Sequence, residues 1–205
     1  MDERGMPSGA ARFEASGMPD RRWWAALWPD PTGTLRAMGV VPGMSVLDLC
    51  CGDGFFTAAL CALTPGPVTA LDLDGKLLAD ARMEVQRAGA PSPTWIEGDA
   101  MAVEALVPSA VDYVLMANTF HGVPDKSGLA TRVRSVLKPG GRFGILNWHA
   151  RPRDETRVLG EPRGPKSELR MSPDAVGAAV APSALVFDRV VEFVPFHYAA
   201  VFLKH

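Results

Sequence analysis

The chain has 205 residues, of which 47% are hydrophobic and 21% are charged, and its formal net charge is -2. This composition excludes intrinsic disorder as the main state, and the charge balance lacks the basic excess of a nucleic-acid-binding protein. Its three cysteines offer neither a disulfide framework nor the paired spacing of a structural zinc site. We therefore expect a cytoplasmic protein with no metal, no apolar segment long enough to span a membrane and no signal peptide.

Residues 1–39 form the first predicted segment. Glycine and proline recur through its first half, a composition that disfavours regular structure. In its second half Trp24 and Trp28 stand four positions apart, on one face of a helix, and two prolines then interrupt the pattern. The sequence predicts a flexible arm followed by a short tryptophan-rich helical segment, with residues 40–205 as the main domain.

Short β-branched or leucine-rich runs alternate with longer helical stretches in the first part of this domain. Such alternation is typical of a parallel sheet with helices on both faces. The predicted strands lie at 45–50, 67–72, 94–97, 111–117 and 142–148. The predicted helices lie at 55–63, 76–88, 102–106 and 126–137, the last of them ended by a turn at 138–141.

The end of the chain breaks this alternation. Residues 186–194 and 196–204 both have strand patterns, and only Pro195 separates them, so they should pair as an antiparallel hairpin. A polar stretch with three prolines, residues 151–170, follows the fifth predicted strand. We expect a long loop there, and a loop of that length in a compact domain is usually functional or mobile.

The most informative segment is the run SVLDLCCGDGFFTAAL, in which a strand ends in a turn of small residues that opens into a helix. Gly52 and Gly54 lack a Cβ where the backbone must turn sharply or approach a ligand, and the helix N-terminus offers free N–H groups. Two glycines alone are also compatible with a structural turn. Asp72 ends the next strand, where a carboxylate can accept both ribose hydroxyls of a nucleoside or can cap the following helix. Asp99, after the third strand, can likewise accept from an adenine amino group or act as an N-cap.

Taken in order, VLDLCCGDG, LDLD, EGDA, VDYVLMANTFHGV and LKPGGRFGILNWH resemble the motifs of class I S-adenosylmethionine-dependent methyltransferases over about four-fifths of the chain. The resemblance implies a Rossmann-like three-layer α/β sandwich. Its seven-stranded, mostly parallel sheet has the order 3-2-1-4-5-7-6 and a C-terminal antiparallel hairpin. One position departs, because the family usually has glycine at Cys50. Cysteine there also occurs in relatives that resemble ubiquinone and menaquinone C-methyltransferases.

The resemblance also implies the cofactor, S-adenosyl-L-methionine, and the residues around it. Asp48 and the two glycines would shape the pocket for the methionine part, Asp72 would hold the ribose, and Asp99 would lie beside the adenine. The full set of residues implied to contact the cofactor is Asp48, Cys50, Gly52, Gly54, Phe55, Asp72, Leu73, Asp99, Ala100 and Asn118.

The acceptor should lie beyond the ends of the fourth and fifth strands, where His121 and His149 stand. Either histidine can serve as a general base near neutral pH or can be a hydrogen-bonded structural group. Residues 151–170 contain several cations that can clamp an acidic acceptor, although four acids in the same stretch also fit a solvated loop. The tryptophans near the N-terminus can cover the site or anchor a helix on the sheet.

Two other functions fit parts of the pattern. A nicotinamide-dependent oxidoreductase also uses GxG and an acid after the second strand, but Thr57 stands where the third glycine of GxGxxG is required. A non-catalytic S-adenosylmethionine-binding protein would keep the same motifs without chemistry. The run ANTF replaces the Asn-Pro-Pro-Tyr of amino-methylating nucleic-acid enzymes. We therefore expect a methyltransferase that acts on a small molecule and not on nucleic acid, and no oligomeric state is indicated.

Overall fold

A computed structural model describes residues 12–205 of the chain. Seven α-helices lie within these residues: α1 Arg21–Leu27, α2 Pro31–Ala37, α3 Phe55–Leu63, α4 Gly75–Arg87, α5 Val103–Leu106, α6 Lys126–Val136 and α7 Pro173–Val180. Nine strands lie in the same part of the chain: β1 Val46–Leu49, β2 Val68–Asp72, β3 Thr94–Glu97, β4 Val111–Ala117, β5 Leu137–Trp148, β6 Arg157–Val158, β7 Glu161–Pro162, β8 Val186–Phe193 and β9 His197–Leu203. Short 3₁₀ helices occur at Ala100–Ala102, Phe120–Gly122, Arg153–Glu155, Ser167–Leu169 and Ala181–Ser183.

Seven of these strands form one sheet in the order β3-β2-β1-β4-β5-β9-β8. Strands β1 to β5 run parallel, whereas β9 pairs antiparallel with β5 and β8 pairs antiparallel with β9. The remaining two, β6 and β7, form a separate antiparallel ribbon. The predicted fold, with its strand order and its C-terminal hairpin, is confirmed.

Two apolar clusters cover the two faces of the sheet. Leu47 and Leu49 of β1 point into the cluster under α5, α6 and α7, and Val46 points into the cluster under α1, α2 and α3. All three side chains are fully buried, and each such burial stabilises the fold by about 1.5–3 kcal/mol. A shift of β1 by one residue would move each of these side chains to the opposite face of the sheet, where it would no longer fit its cluster. Packing on both faces therefore fixes the register of β1 and the position of the turn after it.

The predicted turn at 138–141 lies inside a strand. Helix α6 ends at Val136 and β5 begins at Leu137, so the strand starts before the predicted position 142. Val111 of β4 pairs with Leu137 and Tyr113 pairs with Arg142, which leaves the glycine-containing turn as a bulge in β5. The helix ends at the expected point. The predicted start of the strand was wrong, because the turn forms a bulge and the chain on both sides of it is paired with β4.

Helix α7 was not predicted. Its N-cap is Ser172, whose hydroxyl accepts a hydrogen bond from the Ala175 amide at 3.2 Å, and Pro173 occupies the first helical position. Both residues are ordinary start signals, but the helix has only eight residues and little apolar periodicity. The predicted loop at 151–170 also contains more structure than expected, because β6, β7 and two 3₁₀ helices lie within it.

The predicted helices near the N-terminus are present as α1 and α2, and Trp24 and Trp28 are both buried. Of the predicted flexible arm, residues 1–11 lie outside the described residues. Residues 12–19 contain no helix or strand, and they pass beside the turn after β1 and beside Gly122. No helix in the described part of the chain is long and apolar enough to cross a membrane.

Candidate functional site

The turn after β1, residues 50–54, is built from left-handed backbone, and we call it the cofactor turn. Cys50, Gly52 and Gly54 have φ angles of 62°, 57° and 79°. Glycine adopts this conformation without strain, whereas the Cβ of cysteine is strained in left-handed backbone. This strain is a physical reason why glycine is usual at position 50. A Cβ at Gly54 would lie 2.7 Å from the Ala81 Cβ, so Gly54 allows close packing of α4.

Asp72 at the end of β2 is connected to the cofactor turn. Its Oδ2 accepts a hydrogen bond from the Gly52 amide at 2.8 Å, and its Oδ1 accepts one from the Asp74 amide at 3.0 Å. The N-cap of α4 is Asp74, whose side chain accepts from the Lys76 amide. The alternative in which Asp72 caps this helix is therefore not what the structure shows. Burial is the main cause that raises the pKa of Asp72, and each oxygen keeps a lone pair for a ligand.

Asp48 lies beneath the same turn, on β1. It is only 2% exposed, and its Oδ2 accepts a hydrogen bond of 2.6 Å from the Thr57 hydroxyl on α3. Burial raises its pKa to about 7. The carboxyl therefore changes charge within the physiological pH range, and a cation in the cavity would favour its ionised form.

Asp99 follows β3 and caps the 3₁₀ helix that precedes α5. Its Oδ1 accepts a hydrogen bond from the Met101 amide at 2.8 Å, which is the N-cap expected as one of its two roles. The side chain also lines the same cavity as Asp72. A cap uses one carboxylate oxygen, so the structural role does not exclude a contact with a ligand.

Asn118 and His121 follow β4 and carry buried polar atoms at the wall of the same cavity. Asn118 has a φ angle of 57°, and neither its amide oxygen nor its amide nitrogen has a hydrogen-bond partner among the described residues. His121 is 4% exposed, and its ring lies beside the Ala15 backbone and the Asn147 side chain, although neither contact has full hydrogen-bond geometry. Burial lowers the pKa of His121, so the ring is neutral near pH 7. Buried polar atoms without partners are rare, and at a cavity wall they indicate a ligand.

These residues surround one cavity of about 570 Å³, within the ~300–1,000 Å³ typical of small-molecule sites. Nine of the ten residues predicted to contact the cofactor line it, and Gly54 is the exception because it packs against α4. His121 also lines the cavity.

The other candidate base, His149, is not among the lining residues. Its Nε2 lies 2.7 Å from Glu192 Oε2 on β8, and its ring lies against Tyr198. The structure therefore does not bring His149 together with the cofactor turn and His121. This arrangement matches the alternative of a hydrogen-bonded structural histidine.

Sequence reasoning missed part of the cavity wall. Several residues between 12 and 19 line it, among them Phe13 and Met18, and Arg12 forms an ion pair with Asp74. Trp23 and Trp24 were not missed, since a position over the site was one of the two roles expected for the tryptophans near the N-terminus, and they line the cavity together with Trp148. Residues 12–19 have no apolar periodicity, so no pattern marks them as part of a site. The available signals were Phe13, which lies between Gly9 and Gly17, and Met18, which directly follows Gly17.

The described geometry agrees with the comparisons with known proteins. Residues 46–141 match the model of a family described as a methyltransferase domain. The crystal structure of a SAM dependent methyltransferase from Aquifex aeolicus has a TM-score of 0.73 at 25% identity, covering 86% of this chain and 90% of that one. Magnesium protoporphyrin IX methyltransferase from Synechocystis PCC 6803, crystallised with bound SAM, has the same fold at a TM-score of 0.65 and 14% identity, covering 94% and 88%.

Curated relatives match a shorter stretch. Demethylmenaquinone methyltransferase from Shouchella clausii (strain KSM-K16) is 34% identical over 115 residues, 55% of this chain and 48% of that protein. The protein of the same name from Bacillus cytotoxicus (strain DSM 22905 / CIP 110041 / 391-98 / NVH 391-98) matches to the same extent. The chain thus spans about half the length of these relatives.

The matched domain and the sheet order indicate the class that this chain resembles, because residues 46–141 match a methyltransferase domain and the fold is that of the SAM dependent methyltransferase from Aquifex aeolicus. Within that class it resembles the quinone methyltransferases, as expected from its motifs. S-adenosyl-L-methionine is the cofactor of the class, and the nicotinamide alternative is not favoured.

Proposed function

We propose that this chain is an enzyme that transfers the methyl group of S-adenosylmethionine to a small-molecule acceptor. The observation that carries the proposal is the continuity of one cavity. It joins the cofactor turn and Asp72 to His121 and Trp148 at the ends of β4 and β5. Cofactor and acceptor can therefore meet in one partly enclosed space.

The residues present fit the cofactor. The cofactor turn brings the backbone close to the cavity without side chains at Gly52, and Asp72 has lone pairs left for ribose hydroxyls. Asp99 and Ala100 line the part of the cavity after β3, where we propose that the adenine lies. The side-chain amide of Asn118, which has no hydrogen-bond partner among the described residues, would gain one from the bound cofactor. Asp48 would stabilise the positive charge of the methionine part.

When bound, the cofactor supplies an activated methyl group on a positively charged sulfur. The protein then has to orient the acceptor, exclude water and, for some acceptors, remove a proton. Trp23, Trp24 and Trp148 present apolar surface to the cavity and limit the access of water. His121, a neutral ring that lines the cavity, is our proposed base for an acceptor that loses a proton.

A small-molecule acceptor is supported by the size of the cavity and by the names of the relatives, which specify demethylmenaquinone for those proteins. The expectation that nucleic acid is not the acceptor stays a prediction, as does the cytoplasmic location. A chain that matches half of those relatives need not share their acceptor.

The test uses cofactor with a labelled methyl group and a panel of phenols, amines, thiols and carboxylic acids. We expect label transfer to at least one class, and a His121→Gln variant should lower kcat at least tenfold for a phenol while leaving the affinity for S-adenosylhomocysteine within threefold. His149→Gln is the matched control and should change neither. A protein that binds S-adenosylhomocysteine but transfers no label to any acceptor would contradict the proposal and favour a non-catalytic binding protein.

A further inference from the structure

We infer that the acceptor is a planar molecule that carries an anionic group, either a carboxylate or a phosphate. The three cations that would bind this group are Arg153, Arg163 and Lys166, in a segment that we call the arginine loop, residues 153–166. The inference deepens the proposed function and rests on it, because it specifies the chemistry of the molecule that shares the cavity with the cofactor.

The charges around the cavity are separated along the sheet. Asp48 lies on β1, Asp72 ends β2 and Asp99 follows β3, whereas the arginine loop follows β5. In the sheet order β5 lies three strands from β2, a separation of roughly 14 Å at ~4.8 Å per strand. The carboxylates therefore lie at the end of the cavity where the cationic cofactor is proposed to bind, and the cations lie at the acceptor end.

These cations lack acidic partners among the residues that the structure describes. Within residues 12–205, none of the three forms an ion pair with a carboxylate, although all three line the cavity. The contrast is with Arg12 and Arg21, which also lie near the cavity and are paired with Asp74 and with Asp53. Unpaired cations that line a partly enclosed site favour an anionic ligand.

Individual contacts support the same conclusion. Arg153 donates from Nε to the Gly164 carbonyl oxygen at 3.1 Å, which orients its guanidinium and leaves the terminal nitrogens to donate elsewhere. The Nε of Arg163 is buried and has no partner among the residues described. A carboxylate or phosphate would satisfy both guanidinium groups, since each offers donors in a planar fork.

Aromatic rings border these cations, which is why we expect a planar acceptor. The guanidinium carbon of Arg163 lies 5.3 Å from the ring centroid of Trp23. The backbone of Gly164 packs directly against the indole of Trp148, so closely that a Cβ at position 164 would come within 2.7 Å of the ring. Trp23, Trp24 and Trp148 all line the cavity, so an aromatic acceptor can pack against rings while its acidic group reaches the cations.

A buried arginine holds the arginine loop in this position. Arg170 is 6% exposed and donates to the Pro165 carbonyl oxygen at 3.1 Å and to the Arg163 carbonyl oxygen at 2.8 Å. It also donates to the Thr156 hydroxyl at 2.9 Å. Arg170 does not line the cavity, so it is a positioning residue: it fixes the backbone that carries the cations.

The experiment measures binding and does not require methyl transfer. Protein saturated with S-adenosylhomocysteine is titrated by calorimetry with matched pairs of planar probes: 4-hydroxybenzoate against 4-hydroxybenzamide, and phenyl phosphate against phenol. We expect the anionic member of at least one pair to bind at least tenfold more tightly, with the preference falling as NaCl rises from about 50 to 500 mM. The pair that responds distinguishes carboxylate from phosphate recognition.

Two variants locate the site. Arg163→Gln and, independently, the exposed Lys166→Gln should each reduce the preference for the anion at least threefold. Arg157→Gln is the matched control, because Arg157 lies on the same loop but donates to the Gly160 carbonyl oxygen and does not line the cavity. Equal affinity for acid and amide, no binding of any anionic probe at millimolar concentration, or an unchanged preference in both cavity variants would overturn the inference.

The results that would contradict the proposed function differ from the results that would overturn this inference. Loss of S-adenosylhomocysteine binding or of label transfer would contradict the methyltransferase proposal, whereas a protein that binds S-adenosylhomocysteine and transfers label but does not prefer the anionic probes would overturn this inference alone. A preference for a neutral quinone over every anionic probe would also overturn the inference while leaving the proposed function intact.

Discussion

The carboxylate of Asp72 accepts a hydrogen bond of 2.8 Å from the backbone amide of Gly52. This bond joins the end of β2 to the turn after β1, across two neighbouring parallel strands. It fixes the cofactor turn relative to the residue proposed to hold the ribose. Hydrogen bonds to a charged acceptor of this kind contribute about 1.5–3 kcal/mol.

Asp72→Asn should weaken the binding of S-adenosylhomocysteine by about 1.5–3 kcal/mol, roughly ten- to hundredfold, because the amide group loses the charge and one acceptor. Calorimetry measures the dissociation constant, and circular dichroism checks the fold. Asp125→Asn is the control, since Asp125 only caps α6 at an exposed position. An unchanged dissociation constant in a folded Asp72 variant would assign this residue a structural role alone.

Gly54→Ala should destabilise the protein more than Gly43→Ala. Both glycines have positive φ angles, 79° and 90°, but a Cβ meets Ala81 at Gly54 and nothing within 4 Å at Gly43. The backbone cost of about 1–2 kcal/mol is common to both, and overpacking against α4 adds about 1–3 kcal/mol at Gly54. Urea unfolding measures the difference, and equal losses would show that α4 moves away without cost.

The affinity for the cofactor should increase as the pH rises from about 6 to 8. The buried carboxyl of Asp48 has a pKa raised to about 7, so at pH 6 it is mostly protonated, and a cationic ligand favours its ionised form. Binding near pH 7 should therefore release a proton, which calorimetry in two buffers of different ionisation enthalpy detects. Asp48→Asn should remove the proton release and flatten the profile.

Ionisation of Asp48 should raise the affinity for the cofactor but lower the stability of the free protein. The folded pKa of Asp48 lies above its ordinary value of 3.8, so the unfolded state binds fewer protons between these pH values. Stability from this group is present at low pH and is lost as the pH rises through about 7. Free Asp48→Asn protein should consequently be less destabilised than the parent when the pH is raised from 6 to 8. A parallel decrease in both proteins would assign the pH effect to another group.

Arg170→Met should loosen the arginine loop. The variant loses the three hydrogen bonds that hold Thr156, Arg163 and Pro165, while methionine keeps most of the apolar packing. Amide exchange in residues 153–166 should accelerate at least tenfold, and the affinity for S-adenosylhomocysteine should change by less than threefold. Arg157→Met is the control. Unchanged exchange would contradict the assigned role of Arg170.

The sequence predicted the sheet because its signals are local and repeated. Apolar strands alternate with helices, and the glycine turn, Asp72 and Asp99 stand at the ends of strands. In a parallel sheet these ends meet at one edge, so nine of the ten proposed cofactor contacts reach the same cavity.

What the sequence did not predict depends on contacts between distant segments. The position of residues 12–19 beside Gly52 and the role of Arg170 follow from packing that no periodicity encodes. His121 and His149 both stand near strand ends, and only the direction of each side chain separates the one in the cavity from the one beside Glu192. The long polar loop was expected to be functional or mobile, and the framework around Arg170 explains how its cations keep a fixed place.

The central claim is tested most directly by titrating the protein with S-adenosylhomocysteine and, separately, with NADH in a calorimeter at pH 8. We predict a dissociation constant in the micromolar range for S-adenosylhomocysteine, about 8 kcal/mol of binding free energy, and no measurable heat with NADH. Tight binding of NADH together with no response to S-adenosylhomocysteine would contradict the account.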